Sequence, residues 1–331
     1  MKVCVFVIGG LGVGNGHIYR ASNLVAQLSG VCDYTIHVNY ISLNDCPLID
    51  ELVREKFVGE RLRFICQSSL NIRNYQDYDL YVFDVLSIVS DRFLKSLAKR
   101  KKRVLLIDYT GECVDGSFLY LNPLYHNKHL LKSAQRIDGS QYPLIQKDFY
   151  ARTYMFSRQV ARICVMQGGT DPHYLIPYLL SGRIFAAFEK LFPHIKFDVF
   201  ISKSAGKSAE YRSHFAKYHT VNVIDNVNNL AAHLHCYDLA VSSAGLSIYE
   251  LCASNVPTMI VTGEAKERET ARLFHGNGNA RYVGDTRWCL KAKFFWTLFK
   301  MVLFSRQRRQ LYLRNKRVFK YNPIHTILRG A

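Results

Sequence analysis

Gly10-Leu11-Gly12-Val13-Gly14-Asn15-Gly16-His17-Ile18-Tyr19-Arg20 joins an apolar strand, Val3 to Ile8, to a helix that carries Leu24 and Leu28. A strand that runs through glycines into a helix opens an α/β unit, and the crowding of glycine implies that backbone approaches something closely. The dinucleotide fingerprint does not fit. The glycines recur at every second position, and the second strand, Tyr34 to Val38, runs into Asn39 rather than an acidic residue. The phosphate-loop pattern fails too, because no Gly-Lys-Ser/Thr follows. What remains is Gly-His-x-x-Arg at the start of a helix. A helix N-terminus disfavours a protonated imidazole, which leaves His17 able to accept a proton. The alternative is structural: His17 caps the helix or packs under the loop.

The chain has 331 residues, 49% of them apolar, which suits two domains of ordinary size. Its nine cysteines show no Cys-x-x-Cys and no metal-ligand spacing, and no signal peptide precedes the first strand. They read as small core residues of a cytoplasmic protein. No apolar run approaches the ~18 residues of a membrane span. The formal charge is +18, but residues 286–331 hold twelve Lys and Arg and no acidic residue, so +12 of it is local. A general nucleic-acid-binding surface is not implied. The basic run Lys99–Arg103 lies between a helix end and a strand, where cations suit the helix C-terminus.

Strands are predicted at Val3–Ile8, Tyr34–Val38, Arg63–Ile65, Leu80–Asp84, Arg103–Asp108 and Phe118–Leu121, with helices at His17–Leu28, Leu48–Lys56 and Asp91–Lys99. After Phe149–Gln159 the alternation restarts, with strands at Ala161–Met166, Lys196–Ile201, Thr220–Ile224, Leu239–Ser242 and Thr258–Thr262. Two α/β units in tandem imply a cleft between them. Two turns of the second half carry chemistry. Gln167-Gly168-Gly169-Thr170-Asp171-Pro172 supplies N-cap and N1 residues, and its free amides can bind an anion. Ser242-Ser243-Ala244-Gly245 opens another helix, and its small side chains let phosphate oxygens reach the amides. Glu250, one to two turns on, is placed to accept both hydroxyls of a ribose. Each feature has a bland alternative: a tight turn, close packing, or a solvated helix face. Their conjunction on an α/β chain favours a ligand beyond the carboxyl ends of parallel strands.

As a set, Gly-x-Gly-His-x-x-Arg at Gly14–Arg20, Gly-Gly-Thr-Asp at Gly168–Asp171 and Ser-Ala-Gly-x-x-x-x-Glu at Ser243–Glu250 resemble the UDP-sugar hydrolases of pseudaminic acid biosynthesis and their spore-coat-polysaccharide relatives. Leu119–Asn122 and Gly139-x-x-Tyr142-x-Leu144-Ile145-x-x-x-Phe149 fit the same pattern. The resemblance runs to about Asp285. It implies an α/β fold of two facing Rossmann-like domains of the GT-B type with a central cleft: residues 1–155 as the acceptor or water side, 156–285 as the nucleotide-sugar domain, and 286–331 as a basic, aromatic helical tail. It implies His17 as the general base, with Gly14 and Gly16 in a loop that contacts substrate and Arg20 one turn on, placed to hold the loop, contact an anion or make a surface salt bridge. Gly168, Gly169, Thr170, Ser243, Ala244 and Gly245 would hold the diphosphate of UDP, Glu250 the ribose, and the backbone around Ile224 the uracil. No cofactor or metal is called for.

The chain departs from that pattern at Asp108-Tyr109, where the family often has Asp-Asp, at Gln146 in place of Arg, and at Lys266-Glu267 in place of Asn-Gln. These departures bear on the identity of the sugar and acceptor, and on the resemblance the first reading is a UDP-sugar hydrolase of polysaccharide or nonulosonic acid synthesis. The same fold and helix-start histidine also resemble the transferase that adds N-acetylglucosamine to a lipid-linked muropeptide, which makes a membrane-peripheral glycosyltransferase the alternative. A nucleotide-sugar-binding protein without turnover is the third. In the tail, Trp288 and Phe294–Phe304 are interleaved with lysines and followed by Arg306, Arg308 and Arg309. They suit either an anchor on an anionic membrane surface or packing across the domains.

Overall fold

The first strand, β1 (Lys2–Gly9), is apolar at every position from Val3 to Ile8, so both faces of it must be covered. Val3, Val5 and Val7 join one core with Ile18, Leu24 and Leu28, while Cys4, Phe6 and Ile8 join another with Phe83, Phe93 and Leu106. The computed structural model describes residues 1–10, 15–30, 34–43, 46–65, 75, 77–86, 89–111, 115–124, 135–139, 141–202, 205–225, 227, 229–285 and 289–328. They form two units, Met1–Ile145 with Asn322–Ala331, and Gln146–Tyr321.

In the first unit β1 leads to α1 (Gly16–Ser29), β2 (Thr35–Ser42), α2 (Pro47–Lys56), β3 (Arg61–Ile65), β4 (Leu80–Asp84), α3 (Asp91–Lys99), β5 (Arg103–Ile107), β6 (Leu119–Leu121) and β7 (Gln135–Ile137). The sheet order is β3-β2-β1-β4-β5-β6-β7, with every pairing parallel. β1 and β4 are neighbours from which the chain winds in opposite directions, so the sheet's topological switch point lies between them. Gly9 sits at that point for a steric reason. A Cβ there would stand 2.8 Å from the Tyr40 ring.

The second unit runs α4 (Asp148–Ala151), β8 (Arg162–Met166), α5 (Leu175–Leu179), α6 (Gly182–Leu191), β9 (Lys196–Ile201), α7 (Ser208–Phe215), β10 (Val221–Asp225), α8 (Ala231–Leu234), β11 (Leu239–Ser242), α9 (Leu246–Ala253), β12 (Thr258–Thr262), α10 (Glu267–Gly276), β13 (Arg281–Asp285), α11 (Leu290–Leu303) and α12 (Ser305–Val318). A last helix, α13 (His325–Leu328), belongs to the first unit. The second sheet is also parallel, in the order β10-β9-β8-β11-β12-β13, with its switch point between β8 and β11.

Several expectations shift. β2 continues to Ser42, and Asn39 is a buried mid-strand residue that donates to Cys4 Sγ, so the strand ends on serine and still offers no acidic residue for a dinucleotide ribose. The short β7 and the edge strand β13 carry too few apolar residues to stand out in the sequence. The division falls near residue 145 rather than 155, because the segment from Asp148 onward is anchored to the second unit. Ser254 Oγ donates to the Phe149 carbonyl, and Tyr154 donates its amide to the Ser254 carbonyl at 2.8 Å. The tail is not a separate segment either. Leu290, Phe294, Phe295, Leu298 and Met301 of α11 lie in the second unit's core, and Ile324 and Leu328 lie in the first unit's core beside α1.

Phe294→Ala should thus lower the unfolding free energy by about 3–5 kcal/mol, the usual cost of emptying a buried phenyl site. Trp296→Ala, two residues on but 64% exposed, should change it by less than about 0.5 kcal/mol. Urea unfolding followed by circular dichroism compares the two, and equal effects would contradict the assignment of α11 to the core.

Candidate active site

His17 stands in the first turn of α1, where the chain leaves the β1 end of the switch point, and it is 7% exposed. Its Nδ1 lies 2.5 Å from Oδ1 of Asp84, the last residue of β4. Arg20, one turn further along α1, is fully buried against the same carboxylate. Its Nε donates to Asp84 Oδ2 at 2.7 Å and one terminal nitrogen donates to Oδ1 at 2.5 Å, a two-pronged fork that guanidinium geometry favours. The other terminal nitrogen donates to Asp108 Oδ2, just beyond β5. Asp108 Oδ1 in turn accepts from the Leu124 amide at 3.0 Å.

The Asp84 carboxylate, an acceptor, favours the tautomer with the proton on Nδ1 and the lone pair on Nε2, and an Arg20 terminal nitrogen stands 3.2 Å from the same Nδ1. Burial alone would raise the Asp84 carboxyl. The Arg20 charge, then His17, outweigh it and hold Asp84 at about 2. For Arg20 burial opposes the charge, and the two aspartates more than restore it, so the guanidinium is held above its ordinary value. A proton accepted by His17 would stand against the Asp84 carboxylate across the ring.

In the second unit both sequence motifs follow strands that flank the switch point. β8 ends on Met166, paired in register with Ser242 of β11. Gly168 adopts φ +61°, a left-handed turn that glycine takes without strain, and Gly169 is held by its carbonyl, which accepts from the Ser202 amide at 2.9 Å. Ser243 and Ala244 are buried, and the N-cap of α9 is Gly245, which has no side chain to cap the helix. Two buried polar atoms here, Gln167 Nε2 and Ser242 Oγ, have no hydrogen-bond partner among the described residues. They are two of eleven such atoms among the described residues, and these two stand on adjacent strand ends. Glu250 is half-buried with no partner for its carboxylate among the described residues, and burial pushes it up to about 7. Ile224 is half-buried near the end of β10, the outermost strand on that side of the sheet.

The structure brings Gly16, His17 and Arg20 together, and separately Gly168, Gly169, Thr170, Ser243, Ala244, Gly245 and Glu250 around one switch point. Gly14 lies outside the described residues. Two roles change. Arg20 has both carboxylates in its fork and is closed off from solvent, so it positions His17 and Asp84 instead of binding an anion. Asp171 caps α5 from a distance, its carboxylate accepting from the Leu175 and Ile176 amides at 2.9 Å, so that helix start is already satisfied from within. Sequence reasoning missed Asp84, Asp108 and Lys207. The signal for the first two was present, because both predicted strands ended on aspartate beside the switch point. Lys207 carried none. Its ammonium donates to the Thr170 and Asp171 carbonyls at 3.0 and 2.8 Å and lies 3.9 Å over the Tyr174 ring, which sets a cation against the glycine turn. Glu267, one of the departures, accepts from the Gly263 amide at 3.1 Å and from the Ser243 side chain.

Asp84 titrates lower folded than unfolded, so the stability it supplies is complete above its ordinary carboxylate value and drains away as pH falls toward about 2. The size of the shift corresponds to about 2 kcal/mol. Unfolding free energies measured from pH 6 down to pH 2 should fall less steeply in Asp84→Asn by that amount, and superimposable acid limbs would remove Asp84 from this role.

No protein-family model matches the chain. It is similar to the spore coat polysaccharide biosynthesis protein SpsG of Bacillus subtilis, with 25% identity over 86% of this chain and 84% of the relative. Among solved structures it resembles the UDP-GlcNAc 2-epimerase of Neisseria meningitidis bound to UDP-GlcNAc, with 10% identity, 99% of this chain and 100% of the other covered, and a TM-score of 0.60. It also resembles the spinosyn rhamnosyltransferase SpnG complexed with thymidine diphosphate, with 11% identity, 100% and 99% covered, and a TM-score of 0.61. The chain thus has the fold of these nucleotide-diphosphate proteins, two Rossmann-like units of the GT-B type, and its similarity in sequence is to a polysaccharide biosynthesis protein.

Proposed function

We propose that the protein is a nucleotide-sugar enzyme of polysaccharide biosynthesis that transfers the sugar from UDP to a glycan or lipid-linked acceptor. The observation that carries the proposal is the buried His17–Asp84 pair, held by Arg20 and Asp108, at the switch point of the first sheet. A structural histidine does not require a carboxylate aligned on Nδ1 and a second ion pair behind it. As an acceptor hydroxyl attacks the anomeric carbon, its proton passes to His17 Nε2, and the bond from that carbon to the diphosphate oxygen breaks with its electrons leaving on UDP. Direct displacement inverts the anomeric configuration. In the second unit the backbone around Gly168–Thr170 and Ser243–Gly245, with Lys207, would receive the phosphate charge, and Glu250 the ribose.

Likeness to a polysaccharide biosynthesis protein and to a rhamnosyltransferase fold supports a transferase. Hydrolysis is the second reading, favoured by the three motifs shared with UDP-sugar hydrolases, and in it water takes the acceptor's place at His17. A binding protein without turnover has no use for an oriented base. A lipid-linked acceptor would bring the protein to an anionic membrane surface, which is the partner proposed for residues 286–331.

Two measurements test this reading. In a screen of UDP-sugars, UDP release should rise at least about tenfold when acceptor glycolipid is added, and His17→Ala should cut it by about 10²–10⁴ while leaving UDP affinity within twofold. Release indifferent to acceptor would favour hydrolysis, and loss of UDP binding in His17→Ala would make His17 a ligand. The second concerns Glu250. Its carboxyl is neutral below about 7 and ionised above, and the ionised form accepts the ribose hydroxyls more strongly. UDP affinity should therefore rise about tenfold more between pH 6 and pH 8 in the wild type than in Glu250→Gln, where phosphate titration alone remains. Parallel profiles in calorimetric titrations would exclude Glu250 from the ribose site.

A further inference from the structure

α11 has two faces that answer to different demands. Leu290, Phe294, Leu298 and Met301 are buried, and stability accounts for them. Trp296, Leu303 and Phe304 are 64, 51 and 58% exposed, and nothing in the unit's packing accounts for them. Lys293, Trp296, Lys300 and Leu303 fall at helical spacings of three, four and three, which puts them on one stripe, Phe304 follows at the helix's C-terminal end, and the Lys300 ammonium lies 4.5 Å over the Trp296 ring.

The corner that follows is held rigid. Arg308 is fully buried and donates to the Met301, Ser157 and Arg158 carbonyls, at 2.7, 2.9 and 2.6 Å, so Phe304 cannot fold back onto the core without breaking three bonds to charged nitrogens. Arg306 and Arg309, on either side of the buried arginine, are exposed. The end of α6 packs on the same helix through Phe192 against Phe299, and its one carboxylate, Glu189, is engaged with the Thr220 amide and hydroxyl at 2.8 Å.

We propose that this stripe and corner, Lys293, Trp296, Lys300, Leu303 and Phe304 with Arg306 and Arg309, dock the second unit on an anionic lipid surface. Charge complementarity selects the occupant. Residues 286–331 carry no carboxylate, and an indole, an isobutyl and a phenyl group ringed by cations match the interfacial layer, where aromatic side chains bury their rings and lysines keep their heads among phosphates. A nucleic acid would use the cations but has no apolar layer for Leu303. The inference extends the glycosyltransferase reading by giving it a place where lipid-linked acceptors are found, yet its test reads no turnover, so the two fail separately.

The experiment is co-sedimentation of the purified full chain with phosphatidylglycerol–phosphatidylcholine vesicles and with phosphatidylcholine alone, at low and high salt. The protein should sediment with the anionic vesicles at low salt and be released by high salt. The exposed triple variant Trp296→Ser, Leu303→Ser, Phe304→Ser, with unchanged circular dichroism, should bind at least about tenfold more weakly. Lys300→Gln, Arg306→Gln and Arg309→Gln should each cost about fivefold. Protein that stays in solution with anionic vesicles, binds both vesicle types equally, or binds as well in the triple variant would overturn the proposal. So would a dimer in light scattering that the triple variant turns into a monomer, since the face would then be a contact between copies of the chain.

Discussion

One guanidinium organises the first unit. Arg20 reaches from α1 to the carboxylates that end β4 and follow β5, so a helix and two strand ends are joined by a single buried side chain. Isolated, either aspartate would be prohibitively costly at that depth. The arginine makes both tolerable, and together they make the arginine tolerable. The cluster also carries a strained residue. Asp108 adopts φ +46°, a region that aspartate enters more readily than most residues, and it is held there by its amide bond to the Leu121 carbonyl and by the Leu124 amide on its side chain. Removal of Arg20 takes from both buried carboxylates the guanidinium they share. Such a network resists drift, and precision of a few tenths of an ångström is what an oriented base needs.

The second unit has the complementary character. Near its switch point it leaves Gln167 Nε2, Ser242 Oγ and the Glu250 carboxylate without partners among the described residues. Its cation, Lys207, is tethered by two backbone carbonyls instead of a carboxylate, so its charge is positioned but not neutralised. A catalytic group benefits from being finished before substrate arrives. A binding group benefits from being unfinished, because the ligand then gains what the protein lacks.

Most of this architecture was legible in the residues. Apolar strands buried on both faces announce a parallel sheet, and the turns at Gly168 and Ser243 stand where small residues must. What escaped reading depended on pairs distant in the chain. For Arg20 the residues left open an anion contact, a hold on the loop or a salt bridge, and a carboxylate 64 residues away makes it a positioning residue. The tail stayed open between packing and a membrane surface for a related reason. Its aromatics and lysines sit on opposite demands of one helix, and sequence spacing places residues on a face without saying which face the core takes.

The departures from the hydrolase pattern take on physical meaning in this light. Asp108 keeps its acid because Arg20 needs a second anion, whereas Tyr109 is buried in the core that Phe118 and Tyr120 share and brings no charge to the site. Glu267 spends its carboxylate on the Gly263 amide and on Ser243, so it orders the loop that the diphosphate would meet. In the proposed displacement neither change alters the groups that would act: His17, paired with Asp84, would take the proton, and Lys207 beside the Gly168 turn would face the departing diphosphate. Those groups serve equally whether the attacking oxygen belongs to water or to a sugar. In that reading the nucleophile is chosen by what is delivered to His17, and so by the surfaces that recruit an acceptor, not by the groups that move the proton.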